Sequence, residues 1–389
     1  MKLRGTIALF GHNSNDAAVR RRAVAFRRAG YRVIGFMPHR GEKADKEWEL
    51  VELGATEDNA YLKRVASIFS GARLASRSAN HLRSADMIYA RNLDMLALAV
   101  RARHLCKLNT PVVYECLDVH HKLTGDSRTA KVMRGLERWL LSKCAALVVS
   151  SPRFESEHFA KHYPGLYTCT LIENRLIEGD GFPPRPAPRK CDPTQPLRIG
   201  WFGNLRCSRS LGLLIDLARK FPDDVRITLR GYHAQHAIPD FEEQVRSVPN
   251  LTYEGRYEAP HDLAEIYGGV DLIWAGDWYE AGANSLWLLP NRVYEGGYFG
   301  TPALAPSGTQ TAHWLATKAG GFFLDEPVAA SLEATVVDLL QNRAPIDTMY
   351  ANLLELPRSV FVESPETVQS LFAAVTSARA EHVRRDQNL

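Results

Sequence analysis

The sequence lacks most of the short motifs that announce a chemistry. No apolar run approaches the roughly 18–20 residues that a membrane-spanning helix needs. The apolar part of Met1–Phe10 is too short for a signal peptide and has no small-residue cleavage site, so it reads as a first buried strand. The six cysteines show no C-x-x-C pair and no Cys/His cluster at zinc spacing, which predicts dispersed thiols in a cytosolic protein. There is no G-x-G-x-x-G after a strand, no Walker A loop, no G-x-S-x-G elbow and no H-E-x-x-H. A D-x-D pair is also missing, so no metal-bridged diphosphate is expected. Internal repeats and low-complexity tracts are absent as well.

What is present is a long chain with uneven charge. Its 389 residues are enough for two α/β domains. Residues 1–179 hold 29 Lys+Arg against 18 Asp+Glu, net +11, whereas the remainder holds 19 against 26, net −7. A basic half implies an anionic partner such as a membrane surface, a phosphorylated lipid or nucleic acid, although solvated helix faces produce the same excess. Val65–Arg83 is basic and partly apolar, which fits either a membrane-surface helix or an ordinary packed one.

The N-terminal half alternates strand and helix. TIALFGH and YRVIGFMP flank a helix whose Val19, Ala23 and Phe26 form one apolar stripe. ADMIYAR, TPVVYEC and AALVVSS read as buried parallel strands. A proline-rich stretch follows, and a second alternating series begins at LRIGWFGN. The expected organisation is residues 1–177 as an N-terminal domain, 178–196 as a linker, 197–358 as a second domain and 359–389 as a helical tail. Two such doubly wound units would face a cleft at the carboxyl ends of their strands.

The richest segment is LLPNRVYEGGYFGTPALA, Leu288–Ala305. It reads as a helix beginning near Asn291 after a Pro–Asn break, then a Gly–Thr–Pro turn into a buried strand. A helix N-terminus suits phosphate, and Glu295 one turn further in can accept hydrogen bonds from both ribose hydroxyls. The loop GNLRCSRSLG adds Gly203 for close backbone approach, with Arg206 and Arg209 placed to grip phosphate unless both are simply exposed.

These residues resemble the nucleotide-sugar-binding domain of GT-B glycosyltransferases of the broad family 4 type. That family pairs a glycine-ended strand loop, a basic residue six positions later, and a P-x-K-x-x-E…G-x-P segment. Here the matching residues are Gly203, Arg209, Pro290, Arg292, Glu295, Gly300 and Pro302. The resemblance covers Leu197–Glu326 best and is nearest to bacterial exopolysaccharide transferases of the succinoglycan kind. It implies two Rossmann-like domains, C-terminal helices packing back toward the N-terminal domain, and nucleobase contact by Arg256 and Tyr257. The family's first glutamate is replaced by Trp287, so Asn284 and Ser285 are the candidates for donor-sugar hydroxyls. The basic residue after the loop glycine is replaced by Asn204.

On the N-terminal side, strand ends offer His12, Asn13 and Asp16, then Arg91 with Asn92, as acceptor-side residues. Asp118 and His120 are offered for catalysis. Asp16 and Asp118 are equally placed to cap helices. The implied activity is metal-independent transfer of a hexose, expected to be glucose, from a UDP-sugar to a polyprenyl-diphosphate-linked saccharide. The implied location is cytoplasmic, at the inner face of the membrane, with no cofactor and no nucleic acid. A nucleotide-sugar epimerase of the same fold and a nucleic-acid-binding protein are the alternatives.

Overall fold

The computed structural model describes residues 3–39, 48–55, 70–179 and 181–387. The chain divides into two compact units, Met1–Glu173 with Ser364–Leu389, and Asn174–Glu363.

The first unit is built on a seven-stranded sheet. Its strands are β1 (Gly5–Phe10), β2 (Tyr31–His39), β3 (Glu49–Ala55), β4 (Met87–Arg91), β5 (Val112–Cys116), β6 (Ala146–Val149) and β7 (Cys169–Leu171). Their order is β3-β2-β1-β4-β5-β6-β7, and every neighbouring pair is parallel. A parallel strand covered on both faces is nearly all apolar, and β4, β5 and β6 are buried at every residue, the charged Arg91 and Glu115 near the ends of β4 and β5 being paired with each other. Helices α1 (Ala17–Arg28), α2 (Asn92–Leu105) and α3 (Arg128–Leu141) follow β1, β4 and β5. Val19, Ala23 and Phe26 of α1 face inward, as their spacing predicts, and Arg22 is buried beside them.

The second unit has a six-stranded parallel sheet. Its strands are β8 (Leu197–Leu205), β9 (Val225–His233), β10 (Leu251–Tyr253), β11 (Leu272–Trp274), β12 (Ala303–Pro306) and β13 (Gly321–Leu324), in the order β10-β9-β8-β11-β12-β13. Helices α4 (Ser208–Lys220), α5 (Leu263–Gly268), α6 (Asn284–Trp287) and α7 (Asn291–Tyr298) position the residues of interest. Helix α7 seats closely because Gly297 faces Phe361, where an added Cβ would lie 2.3 Å from the ring. The proline-rich stretch forms no helix or strand among its described residues. It is pinned to this unit by Arg185, which donates to the carbonyls of Tyr298, Leu353 and Leu356 at 3.1, 2.6 and 2.8 Å.

The C-terminal helix α8 (Pro365–Gln387) belongs to the first unit, where it packs on α1 and β4 and sets Phe372 against Tyr31 with ring centroids 4.4 Å apart. Both sheets are doubly wound, and in each the strand order reverses once, at β1/β4 and at β8/β11. Ligands of such sheets bind outside the carboxyl ends of the strands at that reversal. Among the described residues, no helix is long and apolar enough to cross a membrane.

Candidate functional site

In the second unit the predicted residues gather at the β8/β11 reversal. Gly203, near the end of β8, adopts φ +107°, and an added Cβ there would meet only the Tyr257 hydroxyl, at 4.0 Å. Its neighbour Gly231 on β9 has φ +132°, and a Cβ there would lie 1.9 Å from the Gly203 carbonyl oxygen. Both positions need glycine, one for its conformation beside open space and the other because two backbones touch.

Glu295 sits one turn into α7 and is 2% exposed. Tyr267 of α5 donates its hydroxyl to Glu295 Oε2 at 2.8 Å. Burial, reinforced by the Glu295 carboxylate, pushes the Tyr267 phenol well above the usual tyrosine range, so it remains a neutral donor. Helix α7 starts after Pro290 with no side chain capping its first amides. Asn291, its first residue, accepts a 2.6 Å hydrogen bond from the side-chain amide of Asn174.

The cations are arranged around the same strand ends. Arg292 is buried and donates to the Trp274 carbonyl at 3.2 Å. Burial lowers its pKa, while Asp277, Tyr267 and Tyr257 hold it up and Arg206 opposes them, so these groups share one electrostatic neighbourhood. Arg206 lies 3.5 Å from Asp277 and stacks over Tyr279 at 4.8 Å. Arg209 lies over Trp278 at 4.4 Å and donates from one nitrogen to both Glu326 oxygens, at 2.9 and 3.0 Å. That pair is exposed, the kind of contact an incoming phosphate can exchange at small cost.

Asn284 and Ser285 of α6 are both buried, and Ser285 Oγ accepts from the Glu280 amide at 2.9 Å and donates to Asp277 at 3.4 Å. Ser285 thus supports the loop that carries Asp277. Arg256 is exposed and stacks over Tyr232 at 5.0 Å, while the partly buried Tyr257 packs against the unit's second hydrophobic cluster.

In the first unit the candidates divide by environment. Asp16 caps α1, accepting from the Ala18 and Val19 amides at 3.0 Å each, with His12 Nε2 3.7 Å away. Burial alone would raise its pKa; the His12 interaction, the Val19 amide and Arg91 prevail and hold it at about 2. Asn13 accepts from the Asn15 amide at 3.1 Å. His12 Nδ1, Ser14 Oγ and Asn92 Oδ1, which follow the ends of β1 and β4, are buried polar atoms with no protein hydrogen-bond partner. Such atoms are uncommon in folded proteins and mark places where a polar ligand or water completes the structure.

Arg91 is different. It is fully buried, its Nε lies 2.5 Å from Glu115, and it also donates to the Ala18 carbonyl. Arg22 reaches the same carboxylate at 3.0 Å. Arg91 therefore ties β4 to α1 and β5, and its influence on a ligand passes through those elements. Asp118 and His120 are exposed beyond the end of β5. The Asp118 carbonyl accepts from the Cys116 thiol at 3.2 Å, and His120 Nδ1 accepts from the Lys122 amide at 3.1 Å.

Several residues of these neighbourhoods carry no motif. Tyr267, Asp277, Trp278 and Tyr279 are unremarked in sequence because each acts through a partner distant along the chain. Glu137 is another: it is fully buried and bonded to Tyr114, His158 and Tyr163 at 3.0, 2.7 and 2.6 Å. Among the described residues, no group of three His, Cys, Asp or Glu is placed to hold a metal ion.

No protein-family model matches the chain. A curated relative, the succinoglycan biosynthesis protein ExoL of Rhizobium meliloti, is 39% identical over 334 residues, covering 84% of this chain and 83% of the relative. Among solved structures, HepE of Anabaena in complex with UDP-glucose aligns with TM-score 0.68 at 15% identity, covering 96% of this chain and 99% of that one. Sucrose-phosphate synthase from Thermosynechococcus elongatus aligns with TM-score 0.69 at 15% identity over 98% and 99%. WaaG, a glycosyltransferase involved in lipopolysaccharide biosynthesis, aligns with TM-score 0.59 at 14% identity over 94% and 99%. The chain belongs to the ExoL family of succinoglycan biosynthesis proteins and has the GT-B fold of glycosyltransferases.

Proposed function

We propose that the protein transfers a hexose, most simply glucose, from a UDP-sugar to a lipid-linked oligosaccharide during exopolysaccharide synthesis at the inner face of the membrane. The observation that carries the donor half is Glu295, a buried carboxylate one turn inside an uncapped helix and oriented by Tyr267, in the unit whose β8 ends in open space at Gly203. Glu295 accepts from the ribose hydroxyls, and Arg256 and Tyr257 border the base. Arg206, Arg209, Arg292 and the α7 amides at Asn291 meet the diphosphate, so that no metal is required. Asn284 and Ser285 lie on the sugar side.

The acceptor is assigned to the first unit, where His12 Nδ1, Ser14 Oγ and Asn92 Oδ1 await polar partners. Asn13 and Asp16 order that loop, and Arg91 supports it from beneath. In an inverting reaction Asp118 takes the proton of the acceptor hydroxyl as it attacks the anomeric carbon, and the bond to UDP breaks with its electron pair leaving on the phosphate. In a retaining reaction His120 steadies the donor instead. The relatives lend support in that HepE is solved with UDP-glucose and ExoL is named for succinoglycan biosynthesis.

The test is to incubate the protein with a panel of labelled UDP-sugars and bacterial membrane lipids, with and without a chelator. Label moving from UDP-glucose into lipid, undiminished by chelation, supports the proposal. Release of an epimerised nucleotide sugar with no transfer would replace it.

A further inference from the structure

Helix α3 carries a stripe of large apolar side chains on its outer face. Val132, Leu136 and Trp139 stand at i, i+4 and i+7, one above another, and are 72, 42 and 55% exposed. The opposite face is the one that packs, with Ala130, Glu137, Leu140 and Leu141 buried. Exposed apolar residues scattered singly need no explanation, but three in helical register form a surface made to be covered.

Along the helix the exposed charge has one sign. Arg128 lies at one end and Lys143 just beyond the other, while Lys131 and Arg138 run along one flank, and all four are exposed. The Lys143 ammonium lies 6.0 Å from the Trp139 ring. The helix's one acid, Glu137, is turned inward and held by Tyr114, His158 and Tyr163. The nearest exposed acid before it in sequence, Asp126, precedes the helix. Arg134 donates to the Leu123 and Gly125 carbonyls at 2.8 and 2.7 Å, which fixes the helix to the loop before it.

We propose that this face of α3 lies on an anionic phospholipid surface, with Trp139 and its neighbours in the headgroup region and the basic rim on lipid phosphates. A helix of 14 residues is about 21 Å long, enough to lie across several headgroups. Aromatic and apolar residues on one side with a lysine- and arginine-rich border are the chemistry that binds a membrane in the plane of its interface. A second copy of the chain fits worse, because pairing the stripes would bring two basic rims together. Nucleic acid would use the rim and leave the stripe uncovered.

Val65–Arg83, where the sequence suggests a membrane-surface helix, does not compete in its described part. Residues 65–69 lie outside the described residues. From residue 70 on, Ala72, Ala75 and Leu82 point inward and Arg73, Arg77 and Arg83 are solvated, as in a packed helix.

The inference gains its biological sense from the lipid-acceptor reading, but it is tested without any acceptor. The protein is sedimented with vesicles of phosphatidylcholine alone and with vesicles containing about one third phosphatidylglycerol. Selective binding to the charged vesicles is expected. Leu136→Ser/Trp139→Ser should weaken it by about tenfold. Lys131→Ala/Lys143→Ala should weaken it by about twenty-fivefold, some fivefold per charge. Thermal unfolding should be unchanged in both variants.

Equal binding to both vesicle types, or undiminished binding by the variants, would overturn the inference. So would a dimer in analytical ultracentrifugation that these substitutions abolish. Vesicle binding without any sugar transfer would instead remove the functional reading and leave this surface standing.

Discussion

Glu115 in the first unit and Glu295 in the second are both buried carboxylates near the end of a parallel sheet, but they are partnered differently. Glu115 meets two guanidinium groups, Arg22 and Arg91, whose positive charge outweighs its own. Glu295 receives a neutral phenol from Tyr267. A carboxylate bracketed by two arginines is consumed by the fold, binding β5 to α1 and β4. The Tyr267 contact orients Glu295 without adding a positive charge, as the proposed ribose contact requires. On the proposed reading, the same topology serves to lock the first unit together and to orient a nucleotide contact in the second.

The sharpest way to break this comparison is Glu115→Ala. Two arginines would remain buried without their counter-ion, so the first unit should lose about 3–5 kcal/mol of stability. Denaturant unfolding followed by a probe in the first unit measures it. A loss under about 1 kcal/mol would show that the triad is not the lock described here. Glu295→Gln should behave in the opposite way. Unfolding should change little, while UDP affinity falls by about 1.5–3 kcal/mol, the range for a hydrogen bond to a charged group. Unchanged UDP affinity by calorimetry would remove Glu295 from the nucleotide site. Tyr267→Phe should have a smaller effect, weakening UDP binding by about 1 kcal/mol through lost orientation of Glu295. An effect as large as that of Glu295→Gln would mean that the phenol touches the nucleotide itself.

The contrast also explains what the sequence made legible. MIYAR, PVVYEC and AALVVS stand out because a strand buried on both faces is a nearly continuous apolar run, so the alternating architecture can be read directly. The segment at Leu288–Ala305 was legible because a proline break, one acid and a Gly–Thr–Pro turn lie within a single short stretch. Within NLTYEGRY only Leu251–Tyr253 forms a strand, since Gly255 turns the chain with φ +76°. Strand β3 is not marked in the sequence, because its ELVELGA pattern mixes charge and glycine at a sheet edge. The Arg22–Glu115–Arg91 triad was invisible for a different reason. Arg22 sits in a run of arginines and is distinguished only by the carboxylate it meets 93 residues later.

Asp16 gives the smallest effect and separates capping from ligand contact. Its carboxyl is held at about 2, below the ordinary aspartate value, so the folded protein favours the charged form. The stability this supplies is present above pH about 4 and is lost as pH falls toward 2. Its side chain is about one third exposed, so the contribution is that of a helix cap, about 1 kcal/mol. Asp16→Asn should keep most of the capping at pH 7, because the amide oxygen can still accept from Ala18 and Val19, and should remove this group's share of the acid dependence. If Asp16→Asn keeps its stability but loses transfer to the lipid acceptor, Asp16 also serves the acceptor through its charge. If transfer is retained, Asp16 is a cap, and the acceptor reading of this strand end rests on His12, Ser14 and Asn92.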